Sequence, residues 1–293
     1  MKERLRGKSV NKWILGARPR TLPAAIAPVA VATALAGSEA SPLPALLALF
    51  VALALQIGVN YANDYSDGIR GTDNDRVGPI RLTASGIASP QSVKRAAFIA
   101  FGLSAVAGLA LAAMTSWWLI AVGAAAILAA WGYTGGKNPY GYLGLGELFV
   151  FVFFGLVATV GTYFVQVVEI TLESILISIP MGTFSCALLA INNIRDRALD
   201  APAGKKTLAV RLGDRKARHL FAALIALGYV ATFLLLDPWT LLTLLTAPMA
   251  LSLVRGVLGD AQGGALIPFL AKTGKLQLQF SILLSLALVL SHG

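Results

Sequence analysis

Six of the fourteen acidic residues in this 293-residue chain fall in two short stretches. Asp64, Asp67, Asp73 and Asp75 form the first, and Asp196 with Asp200 the second. Asn60 precedes Asp64 by four positions and Asn192 precedes Asp196 by four, so one Asn-x-x-x-Asp spacing occurs twice. On helices, Asn192, Asp196 and Asp200 share a face at i, i+4, i+8; Asn63 and Asp67 are an i, i+4 pair, and Asp64 and Asp67 an i, i+3 pair. Carboxylates grouped at a helix C-terminus repel one another and the negative end of the dipole, so the arrangement calls for a cation. Mg2+ suits it, because this hard ion takes one or two carboxylates and fills its shell with water and substrate phosphate. Bases accompany both groups: Arg70, Arg76 and Arg81 the first, Arg197, Lys205, Lys206 and Arg211 the second. Acids that hold divalent metals, mixed with charge-assisted donors, are suited to a polyanion such as a diphosphate.

Long apolar stretches must position these groups. Apolar residues make up 57% of the chain and charged residues 13%, with a mean hydropathy of +0.74. Soluble domains carry about 25% charged residues, so the composition predicts an all-α polytopic membrane protein. A crossing helix needs about 20 apolar residues. Nine candidates satisfy or approach this: 21–37, 43–61, 96–114, 118–133, 145–166, 172–192, 220–236, 239–258 and 276–291. The single cysteine, Cys186, excludes an internal disulfide.

The charge of +10 follows the topology. Lys and Arg residues lie before the first span, between the second and third, fourth and fifth, sixth and seventh, and around the eighth-to-ninth connection. The alternate connections have none. Basic residues mark the cytoplasmic side, which predicts an N-terminus inside, a C-terminus outside and contact with anionic lipid rather than nucleic acid. The basic start and Ala34-Leu35-Ala36 imitate a cleavable signal, but Arg18-Pro19-Arg20 at the span's mouth favours a retained first helix. The repeated Asn/Asp spacing, four spans apart, predicts two parallel four-helix units over 21–133 and 145–258, plus a ninth helix, within one domain over 1–293.

Acidic and basic groups at the top of an apolar bundle fit a diphosphate attached to a long hydrocarbon. Pyrophosphate would leave with metal assistance, and apolar walls would shelter the allylic cation. Prenyl transfer is the expected chemistry. A transporter is the rival reading, but its coupling acids belong near the midplane, often at broken helices.

Asn63-Asp64-Tyr65-Ser66-Asp67 and Asn192-x-x-x-Asp196-x-x-x-Asp200 resemble the paired Asp motifs of the UbiA-type intramembrane aromatic prenyltransferases. Ala17 to Pro23, Asn60 to Gly78, Tyr133 to Glu147 and Leu208 to Gly213 resemble the branch of that family that prenylates 1,4-dihydroxy-2-naphthoate in menaquinone synthesis. The resemblance implies about nine helices around a central cavity, cytoplasmic cap loops and a bacterial plasma-membrane location. It also implies Mg2+-dependent transfer from a polyprenyl diphosphate to the naphthoate, with loss of carbon dioxide, giving demethylmenaquinone. Other acceptors in the family are 4-hydroxybenzoate and homogentisate. One departure is Gly71, where the family motif usually has a further Asp; either Asp73 compensates or Asp64 and Asp67 suffice.

Carried onto this chain, the resemblance makes Asp64, Asp67, Asp196 and Asp200 the metal ligands. Asn60, Asn63 and Asn192 would orient them or touch the diphosphate, and Arg20, Lys137, Arg81 and Lys205 would bind it. Glu147 would orient the aromatic substrate or receive a proton, unless it is simply paired with a base. The Phe149, Phe151, Phe153, Phe154 run has two readings, an isoprenoid path that offers ring faces to the cation or packing and lipid-facing surface, and the second is preferred.

Overall fold

Proline and small hydroxyl side chains start the main helices. Ser41 precedes α3 (Pro42–Arg70), and Ser89 caps α4 (Pro90–Met114) by accepting the Ser92 N–H. A reciprocal Thr171–Ser174 box opens α8 (Leu172–Asp200). Proline suits the first turn because its missing N–H would have no helical partner there, and the Ser89 and Thr171 hydroxyls accept from otherwise orphaned amides. The computed structural model describes residues 11–72 and 80–292; Asp73, Asp75 and Arg76 lie outside them. Among the described residues the structure is helical, with no strand.

The remaining helices are α1 (Lys12–Ala17), α2 (Pro23–Leu35), α5 (Leu119–Gly132), α6 (Gly146–Val150), α7 (Ala158–Val167), α9 (Leu208–Phe233), α10 (Ala247–Leu258) and α11 (Ile267–His292). A π-helical segment, Phe151–Val157, joins α6 to α7. Six continuous helical stretches among the described residues are long and apolar enough to cross a bilayer, and α2 and α5 are shorter apolar helices. Large apolar side chains such as Leu46, Val106, Leu128, Leu236 and Leu245 are exposed, which in this composition is a surface for lipid. The protein is a multi-pass membrane protein.

Helices α3 and α8 each contain 29 residues, about 43 Å at 1.5 Å per residue. That exceeds a hydrocarbon core of about 30 Å, so both can extend beyond the apolar layer and carry the acidic motifs at their C-terminal ends. Helix α3 packs along α4, and α8 along α9. The first apolar helix is integral to this bundle: α2 packs on α11, α7 and α8, with Ala27, Val31 and Ala32 fully buried.

The largest buried apolar cluster among the described residues joins α8, α9 and α11 through Phe184, Phe221 and Phe280, all fully buried. On the other side, α2 to α8 leave a cavity of about 470 Å3. One close helix crossing brings the π segment, part of the cavity wall, against α8. A Cβ on Gly155 would lie 2.7 Å from the Gly182 Cα, so glycine at this position permits the π segment to approach α8.

Candidate active site

The two acidic motifs meet through a lysine. Helix α3 ends where Gly71 takes φ 74°, and its N–H returns to the Asp67 and Gly68 carbonyls. Glycine adopts this left-handed conformation readily. The departure from the family motif at position 71 therefore coincides with the end of the helix. After α8, the Lys205 N–H bonds back to the Asp200 carbonyl at 3.0 Å. This turn sends the Lys205 ammonium between the two motifs, 3.5 Å from Asp67 Oδ2 and 3.9 Å from Asp200 Oδ1. All three residues are buried.

Tyr142 closes the group from the loop after α5. Its hydroxyl donates to Asp67 Oδ1 at 2.8 Å. The Arg70 guanidinium and the Lys205 ammonium each lie 5.3 Å from the centre of its ring, within cation–π range. Arg70 also donates to the Thr134 and Gly136 carbonyls, and the Lys206 N–H donates to the Tyr142 carbonyl at 3.0 Å. Burial, with the Asp67 charge second, pushes the Tyr142 hydroxyl well above the ordinary phenol range, so it stays a proton donor at neutral pH.

The other two aspartates have different partners. Asp64 accepts the Leu82 and Thr83 N–H groups at 2.8 and 2.9 Å, pinning the segment that carries Arg81 to α3. Asp196 receives a two-pronged bond from Arg195, both contacts 2.7 Å. Among the described residues no three His, Cys, Asp or Glu side chains are grouped closely enough to share a metal. The expected four-carboxylate cluster is thus arranged as the Asp67–Lys205–Asp200 bridge, with Asp64 and Asp196 bonded separately.

The cavity runs from this polar end into the bundle. Asn60, Asn63, Asp67, Arg81, Asn192 and Lys205, all expected from the sequence, line it. Within that wall, Asn60 also braces the fold by donating to Ala17 O and Thr21 Oγ1 at 2.9 and 3.0 Å. Arg20 and Lys137 are exposed and are not brought to the cavity wall. Arg18, which sequence reasoning left out, takes that place; its side chain bonds the Asn60 carbonyl. Glu147 is buried in the first turn of α6, and its partner is Asn193, at 3.1 Å, rather than a base.

The aromatic run differs from its expected role. Phe149, Phe153 and Phe154 line the cavity, whereas Phe151 packs beside Gly182. The last three of these rings sit in the π segment, whose i→i+5 bonding shifts the facing of successive residues from that of a regular helix. The cavity therefore has basic and amide groups at one end and aliphatic and aromatic walls along its length.

A polar, cation-rich mouth on a deep apolar cavity inside a membrane bundle defines an enzyme for amphiphilic substrates. The chain belongs to the UbiA prenyltransferase family, which matches residues 25–265, and is a membrane prenyltransferase. It is 51% identical over 284 residues to the 1,4-dihydroxy-2-naphthoate octaprenyltransferase of Mycobacterium tuberculosis, covering 96% of this chain and 97% of the relative. The Escherichia coli protein of the same name is 39% identical over 294 residues, covering 96% of each. The fold resembles that of a UbiA homologue from Archaeoglobus fulgidus solved with GPP and Mg2+. The TM-score is 0.65 and the identity 15%, with 95% of this chain and 99% of the other covered.

Proposed function

We propose that the protein transfers a polyprenyl group from its diphosphate to 1,4-dihydroxy-2-naphthoate, with loss of the ring carboxylate as carbon dioxide and release of diphosphate, giving demethylmenaquinol, the reduced form of demethylmenaquinone. The observation that carries this reading is the Asp67–Lys205–Asp200 bridge at the mouth of the apolar cavity. The diphosphate sits at this polar end and the hydrocarbon follows the apolar wall. Arg18, Arg81 and Lys205 oppose the phosphate charge, and Asn63 and Asn192 supply amide donors.

Asp67 and Asp200 fit a divalent ion: two carboxylates already face one cationic centre, and Mg2+ needs only one or two beside substrate phosphate. Such an ion, when bound, neutralises charge on the departing diphosphate. The bond between the first prenyl carbon and the diphosphate oxygen breaks, leaving an allylic cation. Phe149 and Phe153 offer ring faces to that cation, and the apolar walls exclude water. The ring carbon bearing the carboxylate supplies the electron pair for the new C–C bond.

Nine crossings, in two parallel four-helix units plus a last helix within a single domain, are part of this reading. The equal lengths of α3 and α8 support them. The same reading puts the acidic ends and the N-terminus on the cytoplasmic side of a bacterial plasma membrane and the C-terminus outside. The test is transfer by purified protein with a polyprenyl diphosphate and either naphthoate or 4-hydroxybenzoate, in Mg2+ or EDTA. Mg2+-dependent product with carbon dioxide from the naphthoate is expected. Product from 4-hydroxybenzoate alone would overturn the acceptor, and equal rates in EDTA would overturn the metal.

A further inference from the structure

We infer that Asn193, held by Glu147, is a specificity-determining contact whose side-chain carbonyl oxygen accepts a hydrogen bond from a ring hydroxyl of the aromatic acceptor. The inference rests on the prenyl-transfer reading and adds to it the group that recognises the second substrate. Asn193 is 5% exposed and lines the cavity. Its Nδ2 donates to Glu147 Oε1 at 3.1 Å. Oε1 is the acceptor in this bond, and an amide has one donor end and one acceptor end. Glu147 therefore fixes which end of the amide is engaged and leaves the oxygen for a ligand's hydroxyl.

Two further observations distinguish this pair from ordinary helix packing. Glu147 Oε2 is also buried and has no hydrogen-bond partner. A buried acceptor left this way costs stability, which calls for a reason to keep a carboxylate there. The position along α8 is also suitable. Asn193 lies one turn before Asp196 and two before Asp200, about 4.5 and 10.5 Å deeper along the axis. With the diphosphate at the Lys205 end, this is the depth of the first prenyl carbons, where the acceptor ring must meet them.

The surrounding wall suits a flat ring. Tyr133, Tyr140 and Phe149 line the same cavity, and the Tyr140 and Phe149 rings stack with centres 3.9 Å apart and planes 20° apart. On α3 another cavity-lining amide, Asn63, has the opposite polarity. Asn63 Oδ1 accepts from Thr134 Oγ1 at 2.7 Å, leaving its NH2 group as a donor for phosphate oxygens. One asparagine is thus set to donate to the diphosphate and the other to accept from a phenol.

The test is steady-state kinetics of the full chain in detergent, comparing wild type, Asn193→Leu and Glu147→Gln. The acceptor KM should rise about tenfold in Asn193→Leu, the scale of one lost hydrogen bond, and about threefold in Glu147→Gln, where the amide is free to turn over. The KM for the polyprenyl diphosphate should stay within twofold in both. An acceptor O-methylated at the recognised hydroxyl should be disfavoured about tenfold by wild type and not by Asn193→Leu. An unchanged acceptor KM, or an equal rise in both KM values, would overturn the inference. If Asn193→Leu does not fold, the near-isosteric Glu147→Gln decides by the same KM comparison. Wild type that prenylates another phenol but not the naphthoate would remove the proposed acceptor, and Asn193 would then be read on that phenol. Wild type inactive on every phenol would overturn the function and this inference together.

Discussion

The Lys205 ammonium lies 3.5 Å from an Asp67 carboxylate oxygen although 138 residues separate them in sequence. With Asp200 at 3.9 Å on its other side, Lys205 ties together the C-terminal ends of two helices from different parts of the chain. Removing one partner from a buried ionic group is strongly destabilising, by about 3–5 kcal/mol, because the remaining charges are left uncompensated. Lys205→Met should therefore lower the melting temperature of the purified protein in EDTA. Added Mg2+ should restore more of that loss than it adds to wild type, since the ion can neutralise the same two carboxylates. Equal responses to Mg2+ in both proteins would remove Asp67 and Asp200 from the proposed metal site.

Asp64 and Asp67 should separate in their effects despite being one turn apart. Asp64 accepts two backbone N–H groups, and replacing it with Ala leaves those donors without their partner, at a cost of about 1–3 kcal/mol. Asp64→Ala should lower the melting temperature and loosen the segment bearing Arg81. Asp67→Asn keeps the shape of the site but removes a charge beside Lys205. It should reduce prenyl transfer at least a hundredfold with a smaller loss of stability. A thermal melt and a rate measurement on each variant check this division; the reverse pattern would assign the metal to Asp64 instead.

Much of this arrangement was legible in the sequence because its spacing is helical. The Asn/Asp repeat located the ends of α3 and α8, and Asn60, Asn63, Asp67, Arg81, Asn192 and Lys205 all reach the cavity. What periodicity could not show was which carboxylates are already bonded. Asp64 is bonded by amides 18 and 19 residues away, a contact set by a loop. Asp196 pairs with its immediate neighbour, although adjacent residues on a helix do not ordinarily face each other. Lys137, expected to bind the diphosphate, is exposed, while Arg70 reaches that loop's carbonyls. The Asn192-Asn193 pair offered a signal for the second cavity-lining amide, but only the four-residue spacing to Asp196 was weighed. The phenylalanine run is read as packing because apolar runs in a membrane helix usually are, and residue type alone does not show that Phe149, Phe153 and Phe154 reach the cavity.

Tyr142 gives a pH prediction. Its hydroxyl donates to Asp67, and its pKa is raised by burial first and by the Asp67 charge second. A phenol with a raised folded-state pKa contributes stability fully present below its unfolded value, about 10, and lost as pH rises through the folded value. Tyr142→Phe should therefore raise the KM for the diphosphate severalfold at every pH from 6 to 9, without changing the shape of the profile. Stability curves of wild type and variant should draw together only above about pH 10. A break in wild-type activity near pH 8 that vanishes in Tyr142→Phe would contradict the protonated, donating hydroxyl.

The close crossing of the π segment and α8 gives a prediction remote from the charged groups. Gly155 faces Gly182, and an added Cβ would stand 2.7 Å from the Gly182 Cα and 3.1 Å from the Ser178 carbonyl oxygen. Both are backbone atoms, so no side-chain rotation can relieve the clash, and overpacking of this kind costs about 1–3 kcal/mol. Gly155→Ala must push Phe151–Val157 away from α8. Phe153 and Phe154, on the cavity wall, move with it. The variant should melt lower and lose turnover with long prenyl diphosphates more than with short ones, because the displaced wall lies along the apolar part of the cavity rather than at Lys205. A uniform loss across donor lengths would indicate that the segment supports the fold without shaping the hydrocarbon path.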